Sequence, residues 1–135
     1  MKPDECVFHL LTRSAKMATR CWKQAVEELG VTAVQAKVMN FLWVYGESGV
    51  SELGELSALD GATLTGVLDR LELMGMVVRK PDGQDRRSVR VCLSDQGRAT
   101  GEAIHDAMVP SNEAFLAQLS EQEVQTLKAL LKRIG

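Results

Sequence analysis

The stretch GATLTGVLDRLELMGMVVRKPDGQDRRSVRVCL, Gly61 to Leu93, decides the fold. Leu64, Val67, Leu68 and Leu71 recur at the three-and-four spacing of one buried helix face, while Ala62, Thr63, Thr65, Gly66 and Arg70 fall on or beside the opposite face. That opposite face is small and polar, which suits close approach to another surface. Downstream, Met76 to Lys80 and Ser88 to Leu93 are rich in valine and flank Pro81-Asp82-Gly83, a turn signal. Val89, Val91 and Leu93 alternate with Ser88, Arg90 and Cys92, so two short strands and a loop are expected.

The charge of this hairpin departs from that of the chain. Met76 to Arg98 carries six basic residues (Arg79, Lys80, Arg86, Arg87, Arg90, Arg98) against three acidic ones (Asp82, Asp85, Asp95), although the whole chain has a formal charge of −2 and a pI near 5.7. A cationic hairpin of this size can sit against phosphates and reach a narrow minor groove, where arginine is favoured. A short amphipathic helix followed by such a hairpin is the layout of a winged helix-turn-helix DNA reader. Upstream the balance reverses: Glu47 to Gly75 holds six acidic residues and one basic. Contact through that part should lean on helix-terminal amides and hydroxyls, which predicts modest non-specific affinity.

Outward from the reader, the pattern is helical. A first helix is expected from about Asp4 to Leu29, with Val7, Leu10, Leu11, Met17, Cys21 and Leu29 on its apolar stripe and Gly30 ending it. Thr32 and Gln35 form a capping box for a second helix running to about Trp43. Val50 offers a minimal strand position, Ser51 the cap of a short third helix through Ala58, and Asp60 the N-cap of the fourth. Gly75 stops that helix in a left-handed conformation. Ser94 can cap a fifth helix, which Pro110 should kink or break, and Ser120 with Glu123 opens a last helix striped by Val124, Leu127, Leu130, Leu131 and Ile134. The fold class is mainly α with a small β-hairpin. One domain spans 1–135, its reader at about 32–98 and its flanking helices at about 4–29 and 94–134.

The run from Thr32 through Gly97 resembles the MarR family of bacterial transcriptional regulators. The resemblance lies in Thr32-Ala33-Val34-Gln35, Val50-Ser51-Glu52-Leu53, Thr63-Leu64-Thr65, Asp69-Arg70-Leu71-Glu72, Gly75-Met76-Val77-Val78-Arg79, Asp85-Arg86-Arg87 and Leu93-Ser94-Asp95-Gln96-Gly97-Arg98. It implies a sequence-specific repressor of double-stranded DNA, with the first, fifth and sixth helices interlocking two chains into an obligate homodimer on a pseudo-palindromic operator. Thr63 and Thr65 would contact bases or phosphates in the major groove, joined by the backbone around Gly61 and Ala62; alternatively the threonines only cap or fill helix surface. Arg70 would reach phosphate, Arg87 would enter the minor groove, and Arg86, Arg90 and Lys80 would serve phosphates. Asp85 would brace the loop or an arginine. Gly66 stands where many relatives carry a larger polar or basic side chain.

The family resemblance also implies a releasing signal. Many relatives respond to small aromatic acids held between the dimerisation helices and the reader, and Trp22 and Trp43 could line such a pocket or belong to the core. Others sense peroxide through a cysteine on the first helix. Cys6 sits about two residues before that reactive position, where this chain has Phe8, and Trp22 and Thr12 replace the partner tyrosines.

Length and composition bound the rest. At 135 residues and 45% hydrophobic, the chain suits one compact domain. No apolar run approaches a membrane span, and the N-terminus lacks a signal-peptide pattern, so a cytoplasmic protein is expected. Cys6, Cys21 and Cys92 have no paired metal spacing, in keeping with reduced thiols. Neither a nucleophile–base pair nor a glycine-rich phosphate loop is present, so no enzyme and no cofactor are expected. The main rival to a DNA reader is a winged-helix module for protein association, which would have no need of outward Asp85-Arg86-Arg87.

Overall fold

The computed structural model describes residues 1–85 and 87–135; Arg86 lies outside the described residues. Among the described residues, six α-helices and a three-stranded sheet follow in the order α1 (Val7–Val26), α2 (Ala33–Tyr45), β1 (Ser48–Gly49), α3 (Val50–Ser57), α4 (Gly61–Leu73), β2 (Val77–Pro81), β3 (Val89–Leu93), α5 (Asp95–Phe115) and α6 (Glu121–Ile134). One-turn 3-10 segments, Pro3–Glu5 and Glu27–Leu29, flank α1, so the first helix is shorter at both ends than its stripe suggests.

Local hydrogen bonds set most boundaries. Thr32 Oγ1 accepts from the Gln35 amide at 3.2 Å while Gln35 Oε1 accepts from the Thr32 amide at 2.9 Å, closing the box that starts α2. Ser120 and Glu123 repeat it for α6, at 3.2 and 2.7 Å. Ser94 starts α5 by accepting from the Gly97 amide, and its own hydroxyl donates to the Gly75 carbonyl, pinning the helix to the turn before β2. Gly75 adopts φ +72°, the left-handed C-terminal cap expected of it.

Three expectations are corrected. Val50 is not a strand residue but the first residue of α3, and Ser51 does not cap that helix; the cap is Gly49, with no side-chain bond. The cause is sheet pairing: Ser48 and Gly49 lie antiparallel to Val91 and Arg90, so the extended chain is used up one residue before Val50. Of the kink or break expected at Pro110, the break does not occur: α5 continues to Phe115. The buried residues of α5 (Gly97, Gly101 and Ile104) all precede it, and Pro110 is exposed, so the carbonyl deprived of its N–H partner can face water.

The core joins the helix-turn-helix to the sheet. Ala36, Val38, Met39 and Leu42 of α2 meet Leu53, the Leu64, Val67, Leu68 and Leu71 face of α4, and Val77, Val91 and Leu93 of the sheet. Burial of that α4 face confirms the three-and-four reading and forces its other face outward. In the sheet, β3 is central, with β1 on one side and β2 on the other; Val77 pairs with Leu93 and Pro81 with Val89. A Cβ on Gly97 would lie 1.8 Å from the Met76 carbonyl oxygen, so only glycine lets the first turn of α5 approach the start of β2.

The outer helices are left uncovered. Within the chain α1 buries only Val26, and α6 buries no residue. Phe8 is 83% exposed and Ile134 67%, and Met17, Val109 and Leu130 are also exposed. Among the described residues, no helix is long and apolar enough to cross a membrane.

Candidate nucleic-acid interface

Helix α4 presents Ala62, Thr63, Thr65, Gly66 and Arg70 to solvent, as its apolar periodicity requires. Nothing lies within 4 Å of a Cβ built on Gly66, so that part of the face is open. At the helix start, Asp60 Oδ1 accepts from the Thr63 amide at 2.8 Å, and Oδ2 accepts from the Thr63 hydroxyl at 2.7 Å. These bonds from the Thr63 amide and hydroxyl hold the Asp60 carboxyl below its ordinary value of 3.8, so it is ionised at neutral pH. A negative charge therefore already occupies the positive end of α4. The expected N-cap is present, and it lowers the capacity of the Gly61 and Ala62 amides to cradle a phosphate.

The wing is braced from within. Asp85 Oδ1 accepts from the Arg87 amide at 2.9 Å and Oδ2 from the Ser88 hydroxyl at 3.0 Å, so among the described contacts Asp85 supports loop backbone rather than a guanidinium. The Arg87 side chain is exposed at the tip. The role expected of Arg86 falls outside the described residues.

The remaining wing cations are not all free. Glu47 in the loop before β1 takes both Lys80 and Arg90: Lys80 Nζ lies on Glu47 Oε2, Arg90 Nε is 3.0 Å from Oε1, and Arg90 Nη2 donates to the Glu47 carbonyl at 2.9 Å. Arg90 also approaches Asp82 at 3.8 Å. The hydrogen bond from Lys80, joined by Arg90, holds the Glu47 carboxyl below its ordinary 4.5, and Glu47 in turn raises Lys80 above 10.5. Arg79 turns back to α4, 2.7 Å from Asp69 and 3.6 Å from Glu72. Lys80 and Arg90, expected to serve phosphates, are thus both engaged within the chain: Glu47 holds Arg90 at two points, Asp82 of the wing approaches it, and Lys80 pairs with Glu47. Sequence reasoning missed Glu47 because it lies 43 residues from Arg90 and only the β1–β3 pairing brings them together.

Behind the wing, a cleft of about 340 Å³ is lined by Leu42, Trp43, Gly46, Glu47, Lys80, Cys92, Leu93 and Arg98. Trp43 thus lines a cavity, while Trp22 packs against the core and donates to the Ala33 carbonyl at 3.2 Å. His105 stands 3.1 Å from Asn40 and tilts against Trp43.

An exposed helix face after a helix-turn-helix, flanked by a braced cationic hairpin, defines a winged-helix DNA-binding protein. A model described as the MarR family matches residues 31–89. Over 131 residues the chain is 30% identical to the organic hydroperoxide resistance transcriptional regulator of Bacillus subtilis, covering 97% of this chain and 88% of that protein. Among solved structures, a cysteine variant of MarR from E. coli complexed with operator DNA superimposes with a TM-score of 0.88 at 29% identity, covering 95% of this chain and 92% of that one. BpsR of Bordetella bronchiseptica, whose DNA binding is regulated by 6-hydroxynicotinic acid, gives 0.89 at 28% identity over 96% and 93%. The chain belongs to the MarR family of winged-helix transcriptional regulators.

Proposed function

We propose that this chain is a dimeric repressor that reads a pseudo-palindromic operator and is released by a small aromatic acid. The observation that carries the DNA reading is the outward Arg87 on a loop fastened by Asp85, beside an α4 face that is small, polar and unobstructed. In this reading Ala62, Thr63 and Thr65 approach base edges in the major groove, Arg70 meets phosphate, and Arg87 enters the adjacent minor groove, while Lys80 is withheld from phosphate by Glu47. The apolar surface left bare on α1 and α6 supports pairing with a second copy, which would set two readers about one helical turn apart. The cleft behind the wing supports an aromatic acid effector: Leu42, Trp43 and Leu93 offer apolar wall, and Arg98 offers a cation beside the Glu47–Lys80 pair. Its place of action is the cytoplasm, where a regulator of this family would meet its DNA.

Likeness to a hydroperoxide resistance regulator favours a second reading, oxidation of Cys6. Against it, Phe8 holds the reactive position of that branch, and Thr12 and Trp22 replace its tyrosines. Replacing Cys6 with serine should leave release of DNA by organic hydroperoxide, if any occurs, unchanged.

Selection of bound duplexes from a random pool, with Arg87→Ala in parallel, tests the main reading. Enrichment of an inverted repeat, with specific affinity lowered by about 1–3 kcal/mol in the variant, is expected. Absence of enrichment at low salt by a folded protein would favour a protein-association module.

A further inference from the structure

A threonine hydroxyl ordinarily reads DNA ambiguously, because its one O–H can donate while its two lone pairs can accept. Thr63 lacks that freedom. Its hydroxyl is 2.7 Å from Asp60 Oδ2, and the other carboxylate oxygen is 2.8 Å from the amide of the same residue. An ionised carboxylate has only lone pairs, so the proton in the 2.7 Å contact must come from Thr63. What remains on the exposed side of Thr63 Oγ1 is an acceptor, polarised by the negative charge behind it. Thr65 differs: among the described residues its hydroxyl makes no hydrogen bond, so it can rotate to donate or to accept.

We propose that the Asp60–Thr63 pair fixes the polarity of base readout, making Thr63 a specificity-determining residue that selects an amino group, adenine N6 or cytosine N4, on the strand it faces. The inference rests on α4 entering the major groove by its first turns. In that groove adenine and cytosine present exocyclic amino donors, whereas guanine O6 and thymine O4 are acceptors that would face the Thr63 lone pairs unfavourably. Adenine N6 and guanine O6 occupy equivalent places on their purines, as do cytosine N4 and thymine O4 on their pyrimidines. Freeing the proton of that hydroxyl should therefore admit the transition partner of the preferred base at one position of each half-site.

Asp60→Asn frees that proton with the cap retained, since asparagine caps helices as well as aspartate. Its carbonyl oxygen must accept from the Thr63 amide, which places the side-chain NH2 on Thr63 Oγ1. The hydroxyl then accepts from Asn and keeps its proton and one lone pair for the groove, so it can donate there as well as accept.

The experiment is duplex selection with full-length wild type, Asp60→Asn, Thr63→Val and Thr63→Ser, each checked for helicity and cooperative melting. Wild type should restrict one position per half-site to adenine or cytosine by on the order of tenfold. Asp60→Asn should relax that position so that guanine or thymine respectively is admitted, Thr63→Val should lose the donor preference with the rest of the half-site intact, and Thr63→Ser should keep it. An unchanged base at every position in Asp60→Asn, or a donor preference that survives in Thr63→Val, overturns the proposal. If no variant, wild type included, enriches any duplex at low salt, the groove-entry reading of α4 fails and this inference with it.

Discussion

Replacing Glu47 with glutamine should steepen the salt dependence of DNA binding by a calculable amount. In the native chain one carboxylate holds two wing cations, Lys80 and Arg90. Loss of its charge does not free them equally. Arg90 keeps the bond of its Nη2 to the Glu47 carbonyl at 2.9 Å and its approach to Asp82 at 3.8 Å, so it stays anchored. Lys80 has no other ion-pair partner among the described residues, and its side chain is 50% exposed, so it becomes available to a phosphate. One additional phosphate contact per reader changes the slope of log K against log salt by about −0.9, or about −1.8 for a dimer. Between 50 and 200 mM salt, the affinity of the variant relative to wild type should therefore fall about 12-fold. Fluorescence anisotropy of a labelled duplex at four or five salt concentrations would measure both slopes. Parallel slopes, with the fold intact by circular dichroism, would refute the idea that Glu47 withholds Lys80 from DNA. A steepening twice as large would mean that Arg90 is released as well.

Further substitutions separate space from charge. Gly97→Ala places a methyl 1.8 Å from the Met76 carbonyl, which must retreat by roughly 1.5 Å and surrender its 3.0 Å bond from the Ser94 amide. Chemical denaturation should show a loss of about 3 kcal/mol or more, or no folded protein at all. Gly66→Ala, with nothing within 4 Å, should instead stabilise the chain by about 0.5–1 kcal/mol, raising the urea midpoint; a fall would mean that the open face of α4 is less open than its geometry. The pH dependence has a defined sign. Asp60, Glu47 and Glu123 all titrate below their ordinary 3.8 to 4.5, so their contribution is complete above that range and is lost as pH falls through the lowered native values. Thermal melts should hold between pH 5 and 7 as far as these groups are concerned and drop below about 4.5, and Glu123→Gln, which keeps the capping box without the charge, should soften the drop.

Much of this molecule is legible from local sequence because the forces that shape those parts act over a few residues. Helix starts at Thr32, Asp60, Ser94 and Ser120 follow from side-chain oxygens that reach an amide three residues on, and the left-handed stop at Gly75 follows from the lack of a Cβ. The inward and outward faces of α4 follow from periodicity alone, and with them the set of side chains offered to a partner. The alternation of Val89, Val91 and Leu93 located β3, although Val89 proves exposed while Val91 and Leu93 are buried. Where local reading failed, a distant segment had decided the matter. Val50 looked extended until Ser48 and Gly49 took the pairing positions beside Val91 and Arg90. Pro110 looked like a break until its neighbours proved solvated, so the lost bond cost too little to end the helix.

The chain by itself determined the helix-turn-helix, the wing and the identity of the exposed polar groups, since caps, turns and apolar stripes are short-range properties. Only the tertiary structure decided how those groups are used. It brought Glu47 to Lys80 and, across 43 residues, to Arg90, turned Arg79 to Asp69, and forced Gly97 against Met76. Electrostatic and steric partners act through space, and sequence distance carries no record of which charges and surfaces the folded sheet will set side by side.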